Sequence, residues 1–179
     1  EYEVSLQSAR HIYDRLNKDV HEIYLIGMDR DGYMHYFEGS IEEVADGTWI
    51  DNKSSAQIIL YSNNKKPGIY DNDTLITQLD LIFPVLHGPY GEDGKLQGLL
   101  ELSGLPYVGC GVIASANAMD KDIAKKIFAY DNINQVDHLT FYSHELITDS
   151  INRIELNLGY PCFIKPANMG SSVGISKAK

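Results

Sequence analysis

The sequence predicts an α/β fold in which a parallel sheet carries helices, followed by a second, smaller α/β part. Three observations predict it. Residues 79–86 (LDLIFPVL) are a near-continuous apolar run, the mark of a strand buried on both faces of a parallel sheet. Residues 94–103 follow with Leu96, Leu99, Leu100 and Leu102 as apolar positions, stopped by Gly104, so a strand leads into a helix. From Ala114 the texture changes to helical segments closing on two short strand-like runs, and a domain boundary is expected near residue 111, between 1–110 and 111–179.

The elements follow in order. In residues 1–18, Leu6, Ala9, Ile12, Tyr13 and Leu16 repeat at helical spacing. An α/β domain usually opens with a strand that feeds its first helix. The expectation is therefore a strand ahead of Glu1 and further chain after Lys179. Residues 21–28 (HEIYLIGM) are rich in β-formers, Asp29-Arg30-Asp31-Gly32 is a turn signal, and residues 33–37 return as the hairpin partner. Residues 39–73 read as loop with one short strand at 57–61 and a turn signal from Asn63 to Gly68. Pro84 weakens the 79–86 strand, since proline donates no ladder hydrogen bond, and 106–110 is a short strand. Residues 120–130 form a helix with Ile123, Ile127 and Phe128 on one face. Then come a strand at 139–142, a helix at 149–158, and strands at 161–166 and 173–178.

Composition narrows the function classes. The chain has 179 residues, 44% hydrophobic and 22% charged, with 15 Lys and Arg against 25 Asp and Glu for a net charge of −10. A nucleic-acid interface needs a basic face; basic spots such as Lys65-Lys66 and Lys125-Lys126 are short. Neither nucleic acid nor an anionic membrane surface is expected as a partner, and no apolar run approaches the ~20 residues that span a bilayer. Cys110 and Cys162 both sit in apolar contexts and read as buried free thiols of a reducing cytosol. With no closely spaced cysteine pair, a structural zinc site has no anchor.

Three strings can carry chemistry. His87-Gly88-Pro89-Tyr90-Gly91-Glu92-Asp93-Gly94 lies at the carboxyl end of a predicted strand, the edge where open α/β sheets bind ligands. Its glycines allow close backbone approach, and His87 can polarise or deprotonate a substrate group. The plain alternative is a βα turn whose Glu92 and Asp93 complement the helix dipole. Lys165-Pro166-Ala167-Asn168-Met169-Gly170-Ser171-Ser172-Val173-Gly174 offers consecutive backbone N–H groups, two hydroxyls and a cation, a set that can cradle phosphate oxygens. It lacks the ending and following helix of a Walker loop, and an ordinary glycine-containing hairpin is the alternative. Gly170 is its candidate for a positive φ. Met119-Asp120-Lys121 opens a helix, with Asp120 as N-cap and Lys121 facing solvent or an anion.

Taken in order, these strings resemble the D-alanine–D-alanine ligases of the ATP-grasp superfamily. The resembling residues are Glu1-Tyr2-Glu3-Val4-Ser5-Leu6, Phe83-Pro84-Val85-Leu86-His87-Gly88, Gly91-Glu92-Asp93-Gly94, Gln97-Gly98, Pro106-Tyr107-Val108-Gly109, Met119-Asp120-Lys121, Lys165-Pro166 and Gly170-Ser171-Ser172-Val173-Gly174. The opening string also looks like the D-alanine–D-serine branch associated with vancomycin resistance, while 168–174 looks more like the ordinary D-alanine–D-alanine enzymes.

The resemblance implies a Rossmann-like substrate domain over 1–110 and the first lobe of an ATP-grasp domain over 111–179. Full ligases have a strand and glycine-rich turn before the position of Glu1. After the position of Lys179 they carry the half with the Mg²⁺-binding carboxylates, so no metal ligand is expected here and the segment alone is expected to be inactive. The implied reaction is the ATP-dependent joining of two D-alanines through an acyl phosphate, in the cytoplasm, for peptidoglycan. Glu1 would hold the first substrate's ammonium, Val4 would pack near its methyl group, and His87 would approach it. Lys121 and Lys165 would neutralise ATP phosphates, with Ser171 and Ser172 donating to phosphate or substrate oxygens. The family's habit implies a homodimer through the amino-terminal domain. Rival readings are a D-alanine–D-serine or D-alanine–D-lactate ligase, and a non-catalytic substrate-binding or dimerisation module. A Rossmann dinucleotide module needs Gly-x-Gly-x-x-Gly after a strand, and no such string occurs.

Overall fold

The amphipathic stripe at the start of the chain forms α1 (Tyr2–Arg15) in the computed structural model, which describes all residues except 52–55 and 62–65. Glu1 takes the N-cap position, and Arg15 sits in the last turn, where a cation suits the negative end of the helix dipole. The expected hairpin follows. Strands β1 (Leu25–Met28) and β2 (Met34–Phe37) pair antiparallel, Leu25 opposite Phe37 and Met28 opposite Met34. Asp29 shapes the turn, its carboxylate accepting the amides of Asp31 and Tyr33.

Residues 39–73 hold more structure than the sequence reading placed there. Helix α2 (Ile41–Asp46) is set by a capping box in which Ser40 Oγ accepts the Glu43 amide and the Glu43 carboxylate accepts the Ser40 amide. A 3₁₀ turn (Thr48–Asp51) then carries Trp49 into the interior. The strand expected at 57–61 is two strands in two sheets: β3 (Ala56–Gln57) extends the β1–β2 sheet, and β4 (Ile59–Tyr61) joins β5 (Gly68–Asp71) and β6 (Thr74–Gln78) in a second antiparallel sheet. Residues 63–65 of the turn signal lie outside the described residues.

Two packed clusters support this part. Trp49 lies across Gly27, where a Cβ would sit 2.3 Å from its ring, and its Nε1 donates to the Tyr2 hydroxyl at 2.9 Å. Ile58, Leu60 and Ile69 form a second cluster with Leu96, Leu100 and Leu105. Helix α3 (Lys95–Ser103) delivers Leu96 and Leu100 to it from one face. Leu100 is fully buried, and truncating such a leucine to alanine costs about 2–5 kcal/mol.

The α/β class stands, but parallel pairing is narrower than expected. Residues 79–86 and 106–110 meet in one parallel bridge, Ile82 to Tyr107: the Ile82 amide donates to Pro106 O and the Val108 amide to Ile82 O, both at 2.9 Å. Both segments are extended chain, not full strands. Leu81 and Phe83 are 53% and 45% exposed, where burial on both faces was expected. A groove of about 910 Å³ is lined by residues of α1, β1 and 79–86.

The chain divides into two units, Glu1–Ser115 and Ala116–Lys179, with the division inside an unanticipated helix, α4 (Val112–Met119). The second unit contains α5 (Lys121–Tyr130), α6 (Ile147–Asn157) and an antiparallel pair, β7 (Cys162–Ile164) with β8 (Ser176–Ala178). Residues 139–142, expected as a strand, have no pairing strand among the described residues; Thr140 Oγ1 donates instead to Asp122 and the Tyr142 amide to Glu145. The cysteines are free, but the expected burial is corrected: Cys110 is exposed and Cys162 only partly covered. Cys110 follows the single bridge onto open surface, so its apolar sequence neighbours do not enclose it.

Candidate functional site

In the first unit the site is built where the start of α1 meets the segment that follows residue 86. Glu1, Ser5 and Ser8 are spaced four and three apart, so they share one face of α1. The Glu1 carboxylate makes no capping bond. It presses instead on Gly88, where a Cβ would lie 1.5 Å from Glu1 Oε2 and where φ is +78°. Only glycine meets both demands. Ser5, 5% exposed, ties the two chain segments together: its hydroxyl accepts the His87 amide at 2.9 Å and donates to Glu1 O at 3.3 Å. Ser8 Oγ lies 2.9 Å from His87 Nε2. Val4, 53% exposed, projects from the first turn of the same helix.

The loop from His87 to Gly94 is held by its own side chains. Glu92 Oε2 accepts the Gly88 amide at 2.6 Å, and Asp93 accepts the amides of Tyr90 and Lys95. Burial works against the Asp93 carboxylate. The Lys95 ammonium and the two amides outweigh it and hold its pKa below the ordinary 3.8. Tyr90 takes a positive φ of 72°, a rare conformation for a bulky residue. Gln97, buried at the base, accepts the Gly94 amide at 3.1 Å and donates to Gly91 O at 2.8 Å. The string is thus a built loop, more elaborate than a plain βα turn.

The second unit holds the other candidates. Asp120 caps α5 through the amides of Asp122 and Ile123. The Lys121 amide donates to Ala167 O at 3.0 Å, and its ammonium donates to Ala167 O and Met169 O. Through these bonds Lys121 fastens the loop after β7 to the start of α5. An ammonium has three donors, so one remains beyond these two carbonyls. Lys165 is exposed directly after β7. Ser171 and Ser172 are exposed and both take left-handed φ, 48° and 61°. Gly170 is not among the positive-φ residues, and Gly174 is, at 73°. Two successive serines in a conformation costing about 1–2 kcal/mol each are an observed strain of the kind that collects at ligand-gripping loops.

The structure therefore brings Glu1 and His87 together in the first unit, and Lys121 and the 165–174 loop together in the second. Sequence reasoning missed Ser5, Ser8 and Gln97 as site residues. The helical spacing 1, 5, 8 was the available signal for the serines. Among the described residues no three His, Cys, Asp or Glu side chains converge to hold a metal ion.

Comparison with known proteins agrees along the whole chain. A family model described as D-ala D-ala ligase N-terminus matches residues 1–110, and one described as D-ala D-ala ligase C-terminus matches 127–179. A D-alanine–D-alanine ligase of Thermoanaerobacter sp. (strain X514) is 42% identical over 99% of this chain and 50% of its own length. That of Caldicellulosiruptor bescii is 43% identical over 100% of this chain and 50% of its own. The chain spans about half the length of the curated relatives it matches. Among solved structures, the VanG D-Ala:D-Ser ligase of Enterococcus faecalis aligns with a TM-score of 0.87 at 40% identity, over 99% of this chain and 51% of that one. The D-alanine–D-alanine ligase of Coxiella burnetii aligns at 0.85 and 31%, over 99% and 50%.

Proposed function

The chain belongs to the D-alanine–D-alanine ligase family, and from that premise we propose that it supplies the first-substrate site and one side of the nucleotide clamp of such a ligase. In the reaction, the carboxylate of one D-alanine takes up the γ-phosphoryl group of ATP. The amine of a second attacks the acyl carbon, phosphate leaves with the C–O electron pair, and the amine proton passes to solvent. The observation that carries the reading is the meeting of the Glu1 carboxylate, Ser5 and His87 around Gly88. A carboxylate without a capping partner, beside a histidine on a glycine-opened edge, suits a small zwitterion. Glu1 holds the ammonium, Val4 flanks the methyl group, and His87 addresses the carboxylate end.

Lys121, Lys165, Ser171 and Ser172 receive the triphosphate. Positive charge and N–H donors fixed before the reaction stabilise phosphoryl transfer without reorganising. Mg²⁺, used across the family, neutralises phosphate charge when bound; since no metal-ligand cluster occurs among the described residues, no ligand to it is assigned to this chain. The division of labour, substrate over 1–110 and nucleotide over 111–179, is supported by the first family match ending at 110. No helix among the described residues is long and apolar enough to cross a membrane, and cytoplasmic peptidoglycan-precursor synthesis belongs to this proposal. So does pairing of two copies through the first unit, where Leu99 and Leu102 stand 37% and 88% exposed on α3.

The test is a pair of NMR titrations of the full-length protein. D-Alanine alone should shift the amides of Ser5, His87 and Gly88 and leave 168–174 in place; ATP alone should do the reverse. Shifts of both regions with both ligands, or of neither, would defeat the assignment.

A further inference from the structure

The first turn of α1 carries Glu1 without the usual support at a helix start. The first backbone N–H groups of a helix have no partner inside it, and the Glu1 side chain caps none of them. Ser5 ties this turn to the loop after residue 86. A second tie leads elsewhere in the chain. The Tyr2 hydroxyl accepts the indole N–H of Trp49 at 2.9 Å, across 47 residues. An indole N–H only donates, so the direction of this bond is fixed. Trp49 is a rigid post for it. The residue is 2% exposed, its ring lies against Gly27 of β1, and His35 and Phe37 of β2 meet it edge-on with ring centroids 6.0 and 6.4 Å away. Arg30 also touches the Tyr2 ring, 4.9 Å from its centroid, and pairs with Glu3 at 3.2 Å. The Arg30 and Glu3 side chains are each 75% exposed, where such contacts contribute little. The bond to the buried indole is the stronger tie.

We infer that Tyr2 and Trp49 are positioning residues for the first substrate: the buried indole N–H holds the Tyr2 hydroxyl and, through the adjoining backbone, sets where the Glu1 carboxylate stands over Gly88. This rests on the proposed placement of the substrate ammonium at Glu1 and adds what fixes that carboxylate. Glu1 and Tyr2 share a peptide unit, so releasing the Tyr2 ring loosens the turn on which Glu1 stands. The carboxylate packs directly on Gly88, and a binding group of this kind must be held to within about 0.5 Å to work. Neither Tyr2 nor Trp49 needs to touch the substrate.

The full-length protein tests this through affinity and stability together. Tyr2→Phe and Trp49→Phe keep an aromatic ring at each position and delete the bond from opposite ends. Each should weaken D-alanine binding, read from the Gly88 amide in an NMR titration, by about 3- to 10-fold, the net worth of one neutral hydrogen bond, and leave KM for ATP unchanged. The double variant should bind no worse than the weaker single, because one bond is lost only once. Tyr2→Phe strands the buried indole N–H and should lower Tm in the wild-type background, but not in Trp49→Phe, where no N–H remains to strand. Ile69→Val, a core truncation in the other cluster, should lower Tm and leave D-alanine affinity unchanged. The indole N–H resonance, identified by its loss in Trp49→Phe, should shift when D-alanine is added and stay in place with ATP. Unchanged D-alanine affinity in Tyr2→Phe, or an equal loss of affinity in Ile69→Val, overturns the inference while the substrate site stands. A wild type whose Gly88 amide ignores D-alanine instead defeats the functional proposal, and this inference with it.

Discussion

Replacing Gln97 with leucine isolates what holds the loop from His87 to Gly94. Gln97 is 7% exposed, and its amide satisfies two buried backbone groups, the Gly94 N–H and the Gly91 C=O. Leucine fills similar space but offers neither donor nor acceptor, so both groups are stranded away from water. Each orphaned buried group costs about 1–3 kcal/mol. The apolar side chain returns about 1–2 kcal/mol through its own burial, leaving a net loss of about 1–4 kcal/mol. For a chain of this size 1 kcal/mol moves Tm by about 2–4 °C, so melting should fall by roughly 2–16 °C. Because the stranded groups lie in the loop that carries His87, KM for D-alanine should rise while KM for ATP holds. Gln97→Glu keeps the acceptor for Gly94 and loses the donor to Gly91, and should fall between. Calorimetry and two-substrate kinetics read both effects. A Gln97→Leu protein that melts within about 1 °C of wild type and keeps its D-alanine KM would refute the reasoning.

Three further outcomes follow from the geometry. Gly88→Ala should cost about 1–2 kcal/mol from its left-handed backbone alone and push the Glu1 carboxylate aside, so D-alanine binding should suffer more than thermal stability; the two measured together decide. Asp93 has a folded-state pKa below 3.8, with the Lys95 ammonium and two amides outweighing burial. Its stabilisation is present above the unfolded value and lost as pH falls through the depressed folded value, so Asp93→Asn should flatten the acid limb of a stability–pH curve below about pH 4 and lower the plateau above it. Hydrogen exchange over 168–174 should slow when ATP is added to the full-length protein, as charge-assisted bonds order the loop; equal protection with and without nucleotide would favour the plain hairpin.

Much of the fold was legible because its signals are local. The stripe in 1–18, the Asp29-Arg30-Asp31-Gly32 turn and the Gly104 stop each act within a few residues, and α1, the β1–β2 hairpin and α3 appear where expected. The capping box at Ser40 and Glu43 was equally local, but α2 is six residues long and gives no helical period to read. What failed depends on partners. Residues 79–86 and 139–142 have strand-like composition, yet an extended segment becomes a strand only when a neighbour pairs with its edge, and the described residues supply one bridge to the first and none to the second. The site divides the same way. Glu1, His87 and the 165–174 loop stand out as strings of unusual residue types. The Lys121 ammonium reaches carbonyls 46 and 48 residues away, and the Ser8–His87 contact spans 79, distances over which a sequence carries no signal.

As proposed, this chain forms the D-alanine-binding and nucleotide-clamping part of a D-alanine–D-alanine ligase. The most direct test is product analysis on the full-length protein, supplied with ATP, Mg²⁺ and D-alanine, with D-serine and D-lactate offered as competing second substrates. D-Alanyl-D-alanine should form in step with released phosphate, and that product should be lost in Glu1→Gln with the fold retained. Phosphate release without any dipeptide or depsipeptide, or dipeptide formation indifferent to Glu1→Gln, would contradict the proposal.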